Sequence, residues 1–349
     1  MQQRVVDLRS DLLVIPTEEM RLAFLAALAD RPSFVPREDP RERATEALVA
    51  SLLGHEDALL FPTCTMANQV ALALAARPGE VVLAQQDAHI LTSEAGAPWA
   101  LSGLRIATVP GDAAMPDPEA WKTLMAGRGF AAPQIAAISV ENTHNRAGGR
   151  VLPVAYCAAV LAHARSRGLR AHLDGARLAN AATSLGVPIA ALARDFDTVA
   201  ISLNKGIGAP MGAALAASHE VIEAALSMRQ RFGGGMRRLG PPAAAAAVAL
   251  RDLSHIRDDH LRARRLGDRL TRIGGIAQIA APIESNLVVL RIADKTAHDL
   301  ARLLAAAGVL GLVLDQEHIR FAIYRGVSDA DIDTVVGICA RLFTATKKD

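Results

Sequence analysis

In the segment AHLDGARLANAA, residues 171–182, a short apolar run ends at Asp174 and a helical pattern begins close to Arg177. An apolar strand, a polar turn and a helix form the unit from which parallel α/β sheets are built. Similar apolar runs occur in QIAAISV (134–140) and DTVAISL (197–203), each before a polar or glycine-rich loop. This alternation predicts a mainly parallel sheet covered by helices, whose ligands bind beyond the carboxyl ends of the strands.

The composition is that of a large and nearly neutral globular protein. The chain has 349 residues, of which 51% are hydrophobic and 21% are charged, and its formal net charge is +2. The length predicts two domains, and the small net charge argues against a nucleic-acid partner. Three cysteines without a C-x-x-C pair predict neither disulfides nor a metal site. Because we find neither a signal-peptide pattern nor an apolar run long enough to span a bilayer, we expect a cytoplasmic protein without a membrane partner.

Three segments differ in their residue patterns. Residues 1–40 are predicted to form an N-terminal arm with a helix over 17–29, because the three prolines of DRPSFVPREDP (30–40) oppose regular structure. Residues 41–240 alternate helical patterns with short apolar strands and form the predicted large domain. Residues 241–349 begin with an alanine-rich linking helix and continue as a predicted small α+β domain.

A lysine follows the third of these strands in an apolar setting. Lys205 lies between Leu203 and a glycine-rich turn in LNKGIGAPMG (203–212). Poor hydration favours the neutral amine, which attacks carbonyl carbons and forms Schiff bases. A lysine that only packs over a glycine turn would have the same neighbours. Arg177 has two interpretations as well, because it could neutralise Asp174 or bind the carboxylate of a substrate.

Two further stretches carry polar residues at positions suited to a ligand. In FPTCTMANQ (61–69), Cys64 and Thr65 lie where a helix begins, so this turn either caps the helix or binds a phosphate. Neither glycine-rich nucleotide motif is present, which argues against ATP and NAD. His89 is either a structural histidine or an imidazole stacked on a cofactor ring, and Glu94 could orient a water or a proton donor.

Six motifs follow one another along the chain, namely DLRSD…PTEEM (7–20), EDP (38–40), ENTHNRAGGRVLP (141–153), HLDGARLANAA (172–182), LNKGIGAPMG (203–212) and GGGMRRLG (233–240). In order and with matching spacing, they together resemble the low-specificity L-threonine aldolases. These enzymes belong to the β-eliminating lyase group of pyridoxal-phosphate (PLP) enzymes. The resemblance covers about residues 5–345 and implies the α/β fold of type I, which is that of aspartate aminotransferase.

The resemblance implies that PLP is the cofactor. Lys205 matches the lysine that binds PLP as a Schiff base, and Asp174 matches the aspartate that pairs with the pyridine nitrogen. The other implied cofactor contacts are the phosphate-binding turn, a stacked histidine and an arginine near the active site, which correspond to Cys64, Thr65, His89 and Arg237.

The resemblance also implies a β-hydroxy-α-amino acid as the substrate, cleaved to glycine and an aldehyde. Arg177 and Arg320 match two arginines that clamp the substrate carboxylate, and Ser10 matches a third contact. The implied catalytic residues are Lys205, His89 and Glu94, with His89 or a water held by Glu94 as the base. In this family the arm and the GGGMR loop complete a neighbouring site, so we expect a homodimer or homotetramer with shared active sites.

Several pocket positions depart from the family pattern. Pro36 and Arg37 replace a tyrosine and a glycine, Ala131 replaces a histidine, Leu12 replaces a threonine, and Tyr324 replaces a histidine. These changes predict a pocket that accepts a group bulkier than the methyl of threonine. They also leave open two alternatives, namely other PLP chemistry such as β-elimination or racemisation, and a PLP-binding protein without turnover.

Overall fold

The computed structural model describes residues 5–126, 133–274, 276–279, 282–292 and 296–345. The strands, numbered along the chain, are β1 (Val6–Asp7), β2 (Asp57–Phe61), β3 (Val81–Gln85), β4 (Arg105–Val109), β5 (Ile135–Glu141), β6 (Arg170–Asp174), β7 (Thr198–Ser202), β8 (Ala213–Ala217), β9 (Ile276–Ile279), β10 (Leu287–Ile292), β11 (Val309–Leu310), β12 (Leu312–Val313) and β13 (His318–Ala322).

The helices follow the same numbering along the chain, after a short 3-10 helix at Asp11–Leu13. They are α1 (Glu18–Leu28), α2 (Pro40–Leu53), α3 (Cys64–Ala75), α4 (His89–Thr92), α5 (Ala97–Ser102), α6 (Pro118–Met125), α7 (Val154–Ser166), α8 (Leu178–Leu185), α9 (Ala190–Ala193), α10 (His219–Arg231), α11 (Gly240–Arg251), α12 (His255–Leu270), α13 (Ala297–Ala306) and α14 (Asp329–Ala345).

The chain divides into two compact units. The large unit comprises residues 16–147 and 151–253, and the small unit comprises the described residues within 1–15, 148–150 and 254–349. These boundaries differ from the predicted arm over 1–40 and the predicted change at 241. The first segment joins the small unit because β1 pairs in parallel with β11. Helix α11 stays with the large unit because it packs against α1 and α2.

A seven-stranded sheet forms the centre of the large unit. Its strand order is β2-β8-β7-β6-β5-β3-β4, and the pairs among β7, β6, β5, β3 and β4 are all parallel. Strand β8 runs antiparallel to both β7 and β2. The predicted α/β architecture with a mainly parallel sheet is therefore confirmed. Strands β2, β3, β7 and β8 are buried along their whole length, as expected where helices cover both faces of a sheet.

Helix α3 begins where the sequence predicted a helix start. The Thr63 hydroxyl accepts a hydrogen bond from the backbone N–H of Met66 at 3.1 Å and so caps the helix. The helix packs against β6, β7 and β8, and its residues from Ala67 to Leu72 are buried. This packing carries two polar side chains, Asn68 and Gln69, into the interior of the unit.

A four-stranded antiparallel sheet forms the centre of the small unit. Its strand order is β12-β13-β10-β9. Apolar side chains from the sheet and from α14 share one core, which includes Val288, Leu290, Phe321 and Ile338. The apolar runs NLVVLRI (286–292) and IRFAIY (319–324) contain β10 and most of β13.

Arg37 adopts a left-handed backbone conformation before α2, with φ of 63°. Its guanidinium donates to Glu46 Oε2 at 2.9 Å, to both carboxylate oxygens of Asp57 at 2.7 and 2.9 Å, and to the backbone carbonyl of Ala58 at 3.1 Å. A left-handed conformation costs a residue with a Cβ about 1 kcal/mol relative to glycine. The ion pairs hold the loop in this conformation although the side chain is not glycine.

Within the described ranges no helix combines the length and the apolar character that a membrane crossing requires. Cys64, Cys157 and Cys339 are free thiols; Cys64 is half-buried and the other two are buried.

Candidate active site

Polar residues collect at the carboxyl ends of the central parallel strands. Strand β5 ends at Glu141 and strand β6 ends at Asp174, and these two residues are register partners. Strand β3 leads into the turn before His89, and strand β7 leads to Lys205. This is the edge at which open parallel sheets bind their ligands.

Asp174 is buried, with 2% of its surface exposed. One carboxylate oxygen accepts from the backbone N–H of Ala176 at 3.1 Å and the other from the Asn68 amide at 2.8 Å. Among the residues that the structure describes, none forms an ion pair with Asp174. Arg177 does not neutralise it, and donates instead to the side-chain oxygen of Asn145 at 3.0 Å. The carboxylate is therefore placed to receive a cation from a ligand.

His89 and Glu94 form a hydrogen-bonded pair. The Nδ1 atom of His89 lies 2.9 Å from Glu94 Oε1, and the Glu94 side chain is fully buried. Glu94 also accepts from the Asn68 amide at 2.9 Å and makes a short hydrogen bond to the Gln69 amide. Its oxygens are thus occupied by protein donors. Glu94 is therefore placed to orient the His89 imidazole, and its predicted task of orienting a water or a proton donor stays a prediction.

The imidazole of His89 is held in a strongly acidic environment. Burial lowers its pKa, but the hydrogen bond to Glu94 and the nearby carboxylates of Asp174 and Glu141 outweigh burial, so the pKa is raised above the ordinary value. The backbone N–H of His89 donates to Glu141 at 2.6 Å, which fixes the first residue of α4. Because a carboxylate can only accept, Nδ1 carries the hydrogen and Nε2 is available to take up a proton.

Asp174 and Lys205 both lie within electrostatic range of Cys64. Burial raises the pKa of the Cys64 thiol well above its ordinary value, the Asp174 carboxylate raises it further, and the Lys205 ammonium lowers it. Lys205 is half-buried. Cys64 and Thr65 are the first two residues of α3, so their backbone N–H groups precede the first intrahelical bond.

These groups fit the chemistry of the cofactor that the resemblance implies. A buried carboxylate without a described ion-pair partner suits a protonated ring nitrogen. The Lys205 amine suits an aldehyde, and the start of a helix suits a phosphate. The large unit therefore offers a matching group to each end of PLP.

The remaining predicted substrate contacts belong to the small unit. Arg320 on β13 is buried, with 4% of its surface exposed, and donates to the backbone carbonyl of Arg9 at 3.2 Å. Ser10 is the next residue, and its hydroxyl accepts from the backbone N–H of Leu12 at 3.2 Å. Two of the three predicted carboxylate contacts are thus neighbours within this unit.

Arg237 lies elsewhere in the large unit. It is exposed, donates to the backbone carbonyl of Phe34 at 2.7 Å and stacks 5.5 Å from the centre of the Phe34 ring. These described contacts tie the GGGMR loop to the segment before α2. They do not bring Arg237 to Asp174 or Lys205, so its predicted contact with the cofactor finds no support within one chain.

His89, Glu94 and Asp174 offer atoms within 4.8 Å of one another, a spacing that could suit a metal ion. Their oxygens and Nδ1 are already engaged in hydrogen bonds to each other or to Asn68. These possible ligand atoms therefore already serve a hydrogen-bond network, and their arrangement suits an organic cation.

Sequence reasoning missed several residues of this site. Asn68, Gln69 and His172 are buried and link the predicted residues to one another. Two signals were present, because Asn68 and Gln69 interrupt an apolar helix, and His172 shares the strand face of Asp174 two residues later. Ala131, the departure that bears on the substrate hydroxyl, lies outside the described residues.

Comparisons with known proteins identify the relatives of this chain. The sequence model of the family described as beta-eliminating lyase matches residues 7–294. A probable low-specificity L-threonine aldolase 2 of Arabidopsis thaliana is 35% identical over 349 residues, covering 97% of this chain and 98% of the relative. An alanine racemase named TOXG, of Cochliobolus carbonum, is 30% identical over 323 residues, covering 88% of this chain and 80% of the relative.

Solved structures confirm the fold. The threonine aldolase of Leishmania major matches with a TM-score of 0.83 at 22% identity, covering 97% of this chain and 99% of the other. At this identity the match shows the fold alone, and that fold is the type I architecture expected from the motifs.

Proposed function

The chain belongs to the β-eliminating lyase family, and from that premise we propose that it is a PLP-dependent aldehyde-lyase acting on a β-hydroxy-α-amino acid. Its products would be glycine and an aldehyde. The observation that carries the proposal is the buried Asp174 carboxylate, which forms no ion pair with a described residue. Like the Lys205 amine, it lies within electrostatic range of Cys64.

In this proposal each end of PLP has its own residues. Asp174 pairs with the ring nitrogen, Lys205 binds the aldehyde carbon, and the backbone N–H groups of Cys64 and Thr65 bind the phosphate. When bound, PLP supplies an electron sink that stabilises negative charge at the substrate Cα. His89 lies beside Asp174 and is placed to contact the ring.

The substrate carboxylate is assigned to Arg177, Arg320 and Ser10. A guanidinium binds a carboxylate through two parallel hydrogen bonds, so it fixes orientation as well as position. Asn145 holds Arg177 from the side, and the carbonyl of Arg9 holds Arg320. A fixed carboxylate aligns the bond between Cα and Cβ for cleavage.

We assign the general base to His89. Glu94 accepts the Nδ1 hydrogen and leaves Nε2 to take the proton of the β-hydroxyl. A base with a pKa close to the working pH is efficient, and the carboxylates around His89 keep its pKa from falling on burial.

The experiment that tests the reaction uses a panel of β-hydroxy-α-amino acids and measures glycine and aldehyde together. Lys205→Ala is expected to abolish both products and the visible absorbance of bound PLP. Lys122→Ala is the control, because Lys122 is an exposed lysine paired with Glu119. Activity that persists in Lys205→Ala would contradict the assignment.

Racemisation is the second candidate, and the similarity to the alanine racemase TOXG favours it over β-elimination. Racemisation and aldehyde-lyase cleavage share the cofactor and differ in the bond that breaks at Cα. Incubation with L-alanine and chiral analysis distinguish them, since racemisation produces D-alanine and no aldehyde. A PLP-binding protein without turnover would yield no product, and it would not need an arginine such as Arg177 for a substrate carboxylate.

We also propose a bulkier side chain than methyl for the preferred substrate. Pro36 and Ala131 lack the tyrosine and histidine of the resembled family, so the pocket loses polar contacts and gains volume. Phenylserine is expected to give a higher kcat/KM than L-threonine, with weak selectivity at Cβ. A clear preference for threonine would contradict this reasoning.

Assembly and location are part of the same proposal. We expect a cytoplasmic homodimer or homotetramer with shared active sites, in which the exposed Arg237 loop serves a neighbouring subunit. Sedimentation would detect the alternative, an active monomer of 36.8 kDa.

A further inference from the structure

Two buried carboxylates lie very close together in the large unit. The oxygens of Glu94 and Asp174 and the ring nitrogen of His89 all lie within 4.8 Å of one another. Both acidic residues are at most 4% exposed, so water cannot separate their charges. Like charges at such distances repel unless donors stand between them.

The Asn68 amide stands between these carboxylates. Its nitrogen lies 2.9 Å from Glu94 Oε1 and 2.8 Å from Asp174 Oδ2, and the side chain is completely buried. Carboxylates only accept hydrogen bonds, so the group that faces both of them is the NH2 group. Its two N–H bonds are both used, one for each carboxylate.

His172 fixes the other side of this amide. Its Nε2 atom lies 3.1 Å from the Asn68 side-chain oxygen, so Nε2 must carry the hydrogen. Its Nδ1 atom then accepts from the Thr198 hydroxyl at 2.9 Å. Burial lowers the pKa of His172 to about 4, so the ring stays neutral near neutral pH. Rotation of the amide by half a turn would place its carbonyl oxygen against both carboxylates and its NH2 group against the His172 N–H, so it is opposed from both sides.

Gln69 provides a natural comparison with Asn68. Its amide bonds Glu94, the residue that orients His89, but no described contact joins it to Asp174. Two adjacent residues of α3 thus share one acceptor, and only Asn68 also bonds Asp174.

We propose that Asn68 is a positioning residue that fixes the carboxylate facing the cofactor ring and the carboxylate that orients the base at the same time. His172 supports it by fixing the direction of its amide. This inference rests on the proposed function for the tasks of Asp174 and His89, whereas the hydrogen-bond network itself does not depend on it.

The test compares Asn68→Leu with Gln69→Met, two substitutions that keep the approximate shape and remove the amide. The pKa of the His89 imidazole is measured by NMR of histidine-labelled protein, in the full chain with and without added PLP. The equilibrium dissociation constant for PLP is measured from its visible absorbance. Glu94, Asp174 and Glu141, the acidic groups facing the imidazole, are unchanged in both variants.

Both variants are expected to raise the pKa of His89 by about one unit, because Glu94 loses a donor and attracts the His89 proton more strongly. Only Asn68→Leu is expected to weaken PLP binding, by about tenfold, since the Ala176 N–H alone then holds the Asp174 carboxylate and its orientation toward the ring is lost. If Asn68 had only a structural role, its substitution would lower thermal stability, and the two variants would not differ in PLP affinity while sharing the change in the His89 pKa.

Equal PLP affinity in Asn68→Leu and the wild type would overturn the inference, as would an unchanged His89 pKa. Should Asn68→Leu not fold, Asn68→Ser is smaller and has a single donor, and its PLP affinity is expected to lie below that of the wild type. If it binds PLP as tightly as the wild type, the inference fails. A wild-type chain that binds no PLP would instead refute the proposed function, and the His89 titration would still test the network.

Discussion

Replacement of Arg37 by glycine changes the backbone and the electrostatics of one loop in opposite directions. Glycine accepts the φ of 63° without strain, and it is the residue that the resembled family has at this position. The same change removes a guanidinium that bonds the carboxylates of Glu46 and Asp57. The side chains of these three residues are at most 9% exposed, so water replaces the lost bonds poorly.

The relief of backbone strain and the loss of the ion pairs change the free energy of unfolding by different amounts. Relief of the left-handed conformation is worth about 1 kcal/mol. Removal of one partner from a buried ion pair costs about 3–5 kcal/mol, because an uncompensated charge stays behind. We therefore expect Arg37→Gly to lower the free energy of unfolding by about 2–4 kcal/mol at about pH 8.

The destabilisation should depend on pH, through Glu46. Burial raises the pKa of Glu46 to about 7 from an ordinary value of 4.5, and Arg37 opposes that rise. An acid whose pKa is higher in the folded state binds its proton more tightly there, so its contribution to stability falls as pH rises from about 4.5 to about 7. Without Arg37 the folded pKa rises further and the loss continues above pH 7. The difference between variant and wild type is therefore larger at about pH 8 than at about pH 5.5.

Urea unfolding followed by circular dichroism at these two pH values measures the effect. Arg43→Ala is the control, because Arg43 also bonds Glu46, at 3.0 Å, but its side chain is 47% exposed. We expect the control to lose less than about 1 kcal/mol. An Arg37→Gly protein as stable as the wild type at about pH 8 would refute the claim that the ion pairs outweigh the strain.

Three further predictions concern the candidate site. Thr63→Ala removes the oxygen that caps Met66 N–H, so it should lower the free energy of unfolding by about 1 kcal/mol, measured by thermal unfolding, and weaken PLP binding. Unchanged stability and unchanged PLP affinity would contradict the importance of the cap. The Cys64 thiol should be alkylated by iodoacetamide more slowly than a free cysteine at neutral pH, as followed by mass spectrometry, because burial raises its pKa. Glu94→Gln should lower the pKa of His89 and reduce kcat by about a hundredfold or more, and a pH–rate profile identical to that of the wild type would show that Glu94 does not orient the base.

Much of the fold was predictable because its signals are local. The helix predicted over 17–29 corresponds to α1, and the helix start predicted at Cys64 and Thr65 corresponds to the start of α3. Apolar runs before polar or glycine-rich turns indicated β5, β6 and β7. These elements follow from periodicity and from capping, which depend on neighbouring residues only.

Strand β8 shows where local reasoning fails. Its sequence, AALAA, has a composition that favours helix. It forms a strand because it lies between β2 and β7 and is buried along its whole length. Small side chains fit this position because helices pack on the sheet closely, and that requirement comes from the assembled layers.

The predicted domain boundaries differ from those of the two compact units for a similar reason. Pro32 and Pro36 correctly indicated a segment without regular structure, whereas Pro40 is the first residue of α2. They could not show that β1 pairs with β11, about 300 residues away in sequence. Parallel pairing over such a separation leaves no periodic pattern, so the first fifteen residues resembled a free arm.

The candidate site combines both situations. Asp174 ends β6, Arg177 follows it and Lys205 follows β7, and their motifs are recognisable because the chain turns at these strand ends. The partners that orient these groups come from distant parts of the sequence. Asn68 on α3 bonds Glu94, which follows α4, and Asp174 at the end of β6. The sequence separations of these two bonded pairs are 26 and 106.

No single segment therefore encodes the protonation pattern of the site. The direction of the Asn68 amide follows from two carboxylates on one side and a neutral His172 on the other. The hydrogen on His89 Nδ1 then follows from the need of Glu94 for donors. Each proton is assigned by a neighbour that is distant in sequence, so transplanting the lysine and aspartate motifs onto another parallel sheet would carry over the reactive groups without the network that orients them.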